Sequence, residues 1–258
     1  MINLREIDGR KIACWVNNGR FLPDRKTLVF IHGSGGDHTN WLGQYTSMKD
    51  RFNIAALDLP GHGRSEGPGE RSVAAYVEWV RKIMDGLGIS EPVLIGHSLG
   101  AAICLSFIIR YNGSAAAAVP VGAGVRMPVN PMILEGLKQD PASVVGMAAK
   151  FSIAKQNREK FSKLLAESLL RTDPEILHGD FSACNDLDIS EAVAGIRVPT
   201  LVVCGAEDKM TPPSLSQAIA DRIPGAGLAL IEGAGHFVMM ENSDAFNSAL
   251  VDFVNSLP

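Results

Sequence analysis

Six short apolar runs, each closing on glycine, recur along this chain with helical segments between them, and few folds accommodate that pattern. The runs are KTLVFIHG (26–33), FNIAALDLPG (52–61), PVLIG (92–96), AAAAVPVGAG (115–124), PTLVVCG (199–205) and GLALIEG (227–233). A strand that is apolar without alternation is covered on both faces. Between the runs, SVAAYVEWVRKIMDGLG (72–88) opens on Ser, closes on Gly and sets Val73, Tyr76, Val77, Val80, Ile83, Met84 and Leu87 at helical spacing. AAICLSFIIRY (101–111), the segment after Pro212-Pro213 and the stretch 243–257 read as further helices. Apolar strands alternating with amphipathic helices predict a mostly parallel sheet flanked by helices, an α/β fold.

The alternation lapses between about 128 and 186, where no β-rich run occurs. Apolar residues recur there at helical spacing, as in Met132, Ile133 and Leu137, or Phe161, Leu164, Leu165 and Leu169. The expected organisation is one α/β core in two parts, 1–126 and 187–258, interrupted by a helical cap over 127–186. No repeat or low-complexity linker divides it further, and 258 residues suffice for a full core.

Composition narrows the function classes. With 46% apolar and 20% charged residues the chain reads as soluble and globular. A net charge of −4 gives no basic surface for nucleic acid and no polybasic membrane patch. MINLREIDGRK lacks the apolar stretch of a signal peptide, and no run reaches the roughly 18 residues of a membrane span. The four cysteines form no CxxC and have no ligand at metal spacing, and Cys104 and Cys204 sit in apolar runs as free thiols. A cytoplasmic protein without metal or cofactor is expected.

The chemistry is sought at VLIGHSLGAAI (93–103), where a serine stands between two glycines at a strand-to-helix junction. A serine alcohol needs a base, a group orienting that base, and donors for an oxyanion. Presenting its oxygen requires a sharp turn whose flanking positions tolerate no side chain, a demand that Gly96 and Gly100 meet around Ser98. A base should lie in a loop after a later strand. Of six histidines, His178 lies in the helical segment as a surface residue, His38 follows Asp37 in a solvated loop, and His62 sits in a turn-rich segment. His97 points away from Ser98. His236, in LALIEGAGHF, follows a strand in a Gly-rich loop and is the candidate base. The orienting carboxylate should end a strand as well, and LVVCGAEDKMTPP offers Glu207 and Asp208. Asp208 is preferred because a short carboxylate held in a turn loses less freedom. Oxyanion donors are expected from the Leu99 N–H and from the loop HGSGGD, with Ser34 assigned and Gly35 as the alternative.

FIHGSGGDHTNW, ALDLPGHGRS, IGHSLG, VPTLVVCGAEDKMTPP and IEGAGHFVMMENSDAFNSALVDFV, in that order, resemble the α/β-hydrolase family, in particular its capped serine hydrolases. The resemblance spans nearly the whole chain. It implies an eight-stranded sheet with the second strand antiparallel, a triad of Ser98, Asp208 and His236, and a helical cap after the sixth strand. The expected activity is hydrolysis of a small or medium apolar carboxylic ester through an acyl-enzyme on Ser98. Thioester, lactone or C–C bond hydrolysis, peroxide-dependent acyl transfer, or a ligand-binding receptor on the same fold are the alternatives. The substrate would be a small molecule, in a pocket walled by Trp41, Met127, Met132, Phe151, Phe161 and Met239.

Overall fold

A computed structural model describes residues 1–17 and 21–258. Eight strands form one sheet: β1 (Ile2–Ile7), β2 (Arg10–Val16), β3 (Thr27–Ile31), β4 (Asn53–Leu57), β5 (Val93–His97), β6 (Ala117–Val121), β7 (Leu201–Gly205) and β8 (Gly227–Ile231). Their order is β1-β2-β4-β3-β5-β6-β7-β8. Strands β3 to β8 are mutually parallel, and β2 runs antiparallel to both β1 and β4.

The first two strands lie outside the six apolar runs. Their hairpin turns on Asp8 and Gly9, both with positive φ (49° and 72°), as an Asp-Gly two-residue turn requires. This pair carries the sheet past the point where the apolar runs begin.

Among the described residues, ten α-helices flank or extend the sheet. In the core these are α1 (Leu42–Met48), α2 (Val73–Leu87) and α3 (Leu99–Arg110). Ser72 caps α2 by accepting from Ala75 N, and Gly88 ends it in the left-handed conformation. Between β6 and β7 stand α4 (Pro131–Gln139), α5 (Pro141–Ser152), α6 (Arg158–Leu169) and α7 (Pro174–Asn185), followed in the second core segment by α8 (Pro213–Ala220), α9 (Val238–Glu241) and α10 (Ser243–Ser256). Three of the four inserted helices start alike: Asn130, Asp140 and Asp173 each cap the helix with a side-chain oxygen and are followed by proline at the first position. Proline has no N–H to leave unsatisfied there and its φ already suits the helix. The insertion is closed at its base by a bridge between Arg126 and Asp188, which also form an ion pair of 2.6 Å.

Two apolar clusters cover the two faces of the sheet. One gathers Val29, Ile31, Leu57, Leu94 and the faces of α2 and α3; the other gathers Phe30, Ile54, Ile95, Val119, Trp41 and α10. No described helix is long and apolar enough to cross a membrane.

At the end of β5 the chain reverses into α3 with almost no space. A Cβ on Gly96 would lie 2.0 Å from the Gly100 carbonyl oxygen, and one on Gly100 would lie 2.3 Å from that of Ile31. Backbone on both sides leaves nothing to yield. Gly100→Ala is therefore expected to destabilise the protein by about 3 kcal/mol or more in urea unfolding, at the upper end of overpacking costs. Gly146→Ala, within α5 where nothing beyond the helix's own backbone lies within 4 Å of the added carbon, should gain about 0.5–1 kcal/mol from helix propensity alone.

Candidate active site

Loops that leave the carboxyl ends of the parallel strands converge above the middle of the sheet, the usual place for a ligand site in such a topology. Ser98 follows β5 with φ 53° and ψ −113°, a conformation that a non-glycine residue adopts only under constraint. It is held there by its own N–H, which donates to Val121 O at 2.9 Å, and by its carbonyl, which accepts from Ala101 and Ala102 N.

Asp208 lies in the loop after β7 and His236 in the loop after β8. The His236 Nδ1 donates to Asp208 Oδ2 at 2.8 Å, and both residues are buried. Three more donors converge on that carboxylate: Met210 N at 2.8 Å, Thr211 N at 2.9 Å and Thr211 Oγ1 at 2.8 Å. Burial disfavours the charge of Asp208, but the His236 ring and the Thr211 donors outweigh it and hold the carboxyl below its ordinary value. Glu207, the rival carboxylate, is exposed and bonds Gln156 of the insertion.

Ser98 and His236 line the same cavity of about 460 Å³, together with Ser34, Met127, Phe151 and Phe181. No direct hydrogen bond joins Ser98 Oγ to His236 among the described residues. Such bonds are often long in unliganded enzymes and tighten with substrate. A smaller chamber of about 40 Å³ lies behind, between Gly33, Ser98, His97 and His236. Another cavity, of about 400 Å³, sits beside α2 and α3 against Arg110 and Asp188, away from Ser98, Asp208 and His236.

Of the two loop amides considered as oxyanion donors, Gly35 N already donates to Asp180 Oδ2 at 2.8 Å. Ser34 N and Leu99 N have no protein acceptor among the described residues. The Gly33–Gly36 turn is closed by Gly36 N on Gly33 O at 3.0 Å.

The pocket wall differs from expectation. Met127 and Phe151 line the 460 Å³ cavity. Trp41, Met132, Phe161 and Met239 do not. Trp41 is fully buried between Phe30 and Phe246, and Met239 is buried in the same cluster. Met132 is 79% exposed on the outer side of α4, and Phe161 packs among the inserted helices. Apolar spacing marks a buried face without saying whether that face meets core, cavity or neither.

A family model described as the alpha/beta hydrolase family matches residues 28–249. The chain belongs to the alpha/beta hydrolase family. A thermophilic esterase of known structure is 33% identical, with a TM-score of 0.86 over 99% of this chain and 97% of that one. The enol-lactonase from Burkholderia xenovorans LB400 superposes with a TM-score of 0.91 over 98% of this chain and 100% of that one, at 21% identity, a likeness of fold. The dihydrolipoyllysine-residue acetyltransferase component of the acetoin cleaving system of Pseudomonas putida is 30% identical over 241 residues, which span 88% of this chain and 63% of that protein. The chain is a hydrolase of the α/β fold.

Around its site this hydrolase buries side chains that sequence position alone does not assign. His97 Nε2 donates to the His236 carbonyl at 2.9 Å, and its ring lies 4.6 Å from that of His236. Burial and the neighbouring His236 keep it neutral, well below its ordinary pKa. It therefore fixes the histidine loop. Gly122, after β6, has φ 58°, and a Cβ there would stand 3.2 Å from His236 Nδ1 and 3.3 Å from Asp208 Oδ2. The glycine leaves room for the pair. Cys184 faces Ser34 across 3.9 Å, but burial first, and the Asp180 charge second, push its thiol up to about 12. It is no thiolate nucleophile at neutral pH.

His38 is buried, not solvated. Asp58 Oδ1 accepts from both its N–H (2.7 Å) and its Nδ1 (2.8 Å), and Asp58 Oδ2 accepts from Arg64 N at 3.0 Å. Asp37, His38 and Asp58 offer ligand atoms within 4.8 Å of one another, yet Asp37 is committed to capping Thr39 N and Asp58 to these donors. Burial opposes the charge of both partners, but their mutual attraction raises the pKa of His38 and lowers that of Asp58. A raised histidine contributes stability that is complete below its unfolded pKa of about 6.5 and fades as pH rises through the folded value. A lowered carboxyl contributes above about pH 4 and fades as acid protonates it. His38→Ala should accordingly cost more stability at about pH 5.5 than at about pH 9, read from urea midpoints at the two conditions.

Proposed function

We propose that the protein hydrolyses a small or medium apolar carboxylic ester through an acyl-enzyme formed on Ser98. The observation that carries this reading is the pairing of a buried, ionised Asp208 with His236 Nδ1 beside a cavity that also receives the strained Ser98. With Nδ1–H given to Asp208, His236 Nε2 is the free, basic nitrogen. It takes the Ser98 proton as Oγ attacks the acyl carbonyl. The tetrahedral oxyanion is held by the N–H groups of Leu99, at the start of α3, and of Ser34, whose amide is uncommitted. His236 then protonates the departing alcohol. Water, deprotonated by the same nitrogen, releases the acid by the reverse path.

The cavity favours an acyl or alcohol part of a few carbons, since Met127, Ile133, Phe151, Phe181 and Leu215 give its wall apolar surface. The thermophilic esterase at 33% identity favours an ester over the other acyl bonds that such a triad can cleave.

Ser98→Ala should lower kcat on a short-chain p-nitrophenyl ester by on the order of 10⁴, with KM little changed. Near wild-type turnover in that variant would sink the reading. On the wall, Phe151→Ala should raise KM for p-nitrophenyl butyrate roughly 3–10-fold and move that for the acetate less, because only the longer chain loses apolar contact. An equal shift for both esters would remove Phe151 from the acyl site.

A further inference from the structure

Outside the triad, the insertion buries a carboxylate with three hydrogen-bond donors against the core. Asp180, in α7, is fully buried. Its Oδ2 accepts from Gly35 N at 2.8 Å and from His62 Nε2 at 2.9 Å, and its Oδ1 accepts from Tyr76 Oη at 2.6 Å. His62 Nδ1 faces the Pro60 carbonyl at 3.0 Å, so both ring nitrogens meet acceptors. That arrangement suits an imidazolium at His62.

Gly35 is the residue after Ser34, the uncommitted amide. Its own peptide groups are both taken by the insertion: the N–H by Asp180, and the carbonyl by Thr172 Oγ1 at 2.8 Å. Leu177 and Leu169 close over it, so that a Cβ would meet their side chains at 2.7 and 3.2 Å. Gly35 has φ 65°, and with Gly36 N on Gly33 O the turn has Ser34 and Gly35 as its central residues. A turn with positive φ at its third residue differs from its commoner counterpart by a flip of the central peptide, here Ser34–Gly35. The bond from Gly35 N to Asp180 fixes which way that peptide points.

We propose that Asp180, seconded by Thr172, is a positioning residue for the oxyanion hole: by clamping both sides of Gly35 it anchors the loop, and with it the preceding Gly33–Ser34 peptide, whose N–H is set against the substrate carbonyl. The hole is then complete only while the insertion is docked. This rests on the Ser98 acyl-enzyme reading, with which it shares the Ser34 donor. Loss of the Asp180 clamp alone frees Gly35 and displaces one of the two donors, while the bonds of Ser98, His236 and Asp208 are untouched.

The test compares wild type with Asp180→Ala, Thr172→Val and Tyr76→Phe. The readouts are fluorophosphonate labelling at Ser98, kcat and KM on a p-nitrophenyl ester, Ki for a trifluoromethyl ketone, and Tm. Loss of one oxyanion donor costs about 10²–10³ in kcat; a loosened donor should cost somewhat less. Asp180→Ala is expected to lose roughly 30–100-fold in kcat and in labelling rate, with Ki raised in step and KM within about threefold. Thr172→Val, which deletes one bond at the half-buried edge, should lose roughly 3–10-fold with Tm nearly unchanged. Tyr76→Phe removes a donor to Asp180 that does not touch Gly35, so it should lower Tm and leave kcat within about twofold. If kcat follows Tm alike in Asp180→Ala and Tyr76→Phe, the role is structural and the proposal falls. Should Asp180→Ala fail to fold, unchanged kcat and Ki in Thr172→Val overturn it. Wild type that is not labelled at Ser98 removes the acyl-enzyme reading itself, a result distinct from labelled wild type with indifferent variants.

Discussion

Where β5 ends, two stretches of backbone approach so closely that no side chain fits between them, and the geometry of the whole upper surface follows from that approach. Gly96 lies against the Gly100 carbonyl, and Gly100 against the carbonyl of Ile31 at the end of β3. The chain can therefore reverse directly from a central strand into α3, with Ser98 at the apex in a strained conformation of positive φ. The strain at this residue is tolerated because its neighbours over-determine it: Val121 O fixes its N–H, and the first turn of α3 takes its carbonyl. A loosely packed turn would relax, and the serine would point elsewhere.

The neighbouring strands supply the rest by the same logic. Parallel strands deliver every carboxyl end to one edge of the sheet, so the loops after β3, β5, β7 and β8 meet although up to 200 residues separate them. Proximity alone does not fix loops, and here the insertion does part of that work. Its Asp180 and Thr172 hold Gly35, and Ser152, at the end of α5, accepts the His236 N–H at 2.7 Å. Both the loop after β3, which carries Ser34, and the loop of His236 lean on helices that are not part of the sheet.

This division explains what could be read from the chain alone. The central strands, the sharp turn at Ser98 and the meeting of Asp208 with His236 near it are legible because each rests on local signals: an apolar run, a glycine where backbone approaches backbone, a polar residue just past a strand. The antiparallel β1–β2 pair escaped the apolar count, although Asp8-Gly9 marks its turn. The roles of His38 and His62 were illegible for a different reason. Their partners, Asp58 and Asp180, stand 20 and 118 residues away, and no spacing announces a contact made only by folding. The pocket wall failed similarly. Trp41 and Met239 have the composition of a wall, but the docking of α10 and the loop after β3 turned them into core.

The buried carboxylates show how so polar an edge remains stable. An ionised group without donors would be costly in this interior. Asp58 has three donors, from His38 N, His38 Nδ1 and Arg64 N. Asp180 has three, from Gly35 N, His62 Nε2 and Tyr76 Oη. Asp208 has four N–H and O–H donors, Met210 N, Thr211 N, Thr211 Oγ1 and His236 Nδ1, besides the Cys204 thiol at 3.9 Å. Each set joins a histidine to at least one backbone amide of a loop, so the compensation for burying the charge is also what pins that loop. Dipoles fixed in this way need no rearrangement when charge develops on a reacting oxygen, which is the condition under which backbone N–H groups stabilise an oxyanion most. The cost of burying charge and the rigidity of the site thus have one source, and replacing any of these aspartates by an apolar residue would remove both together.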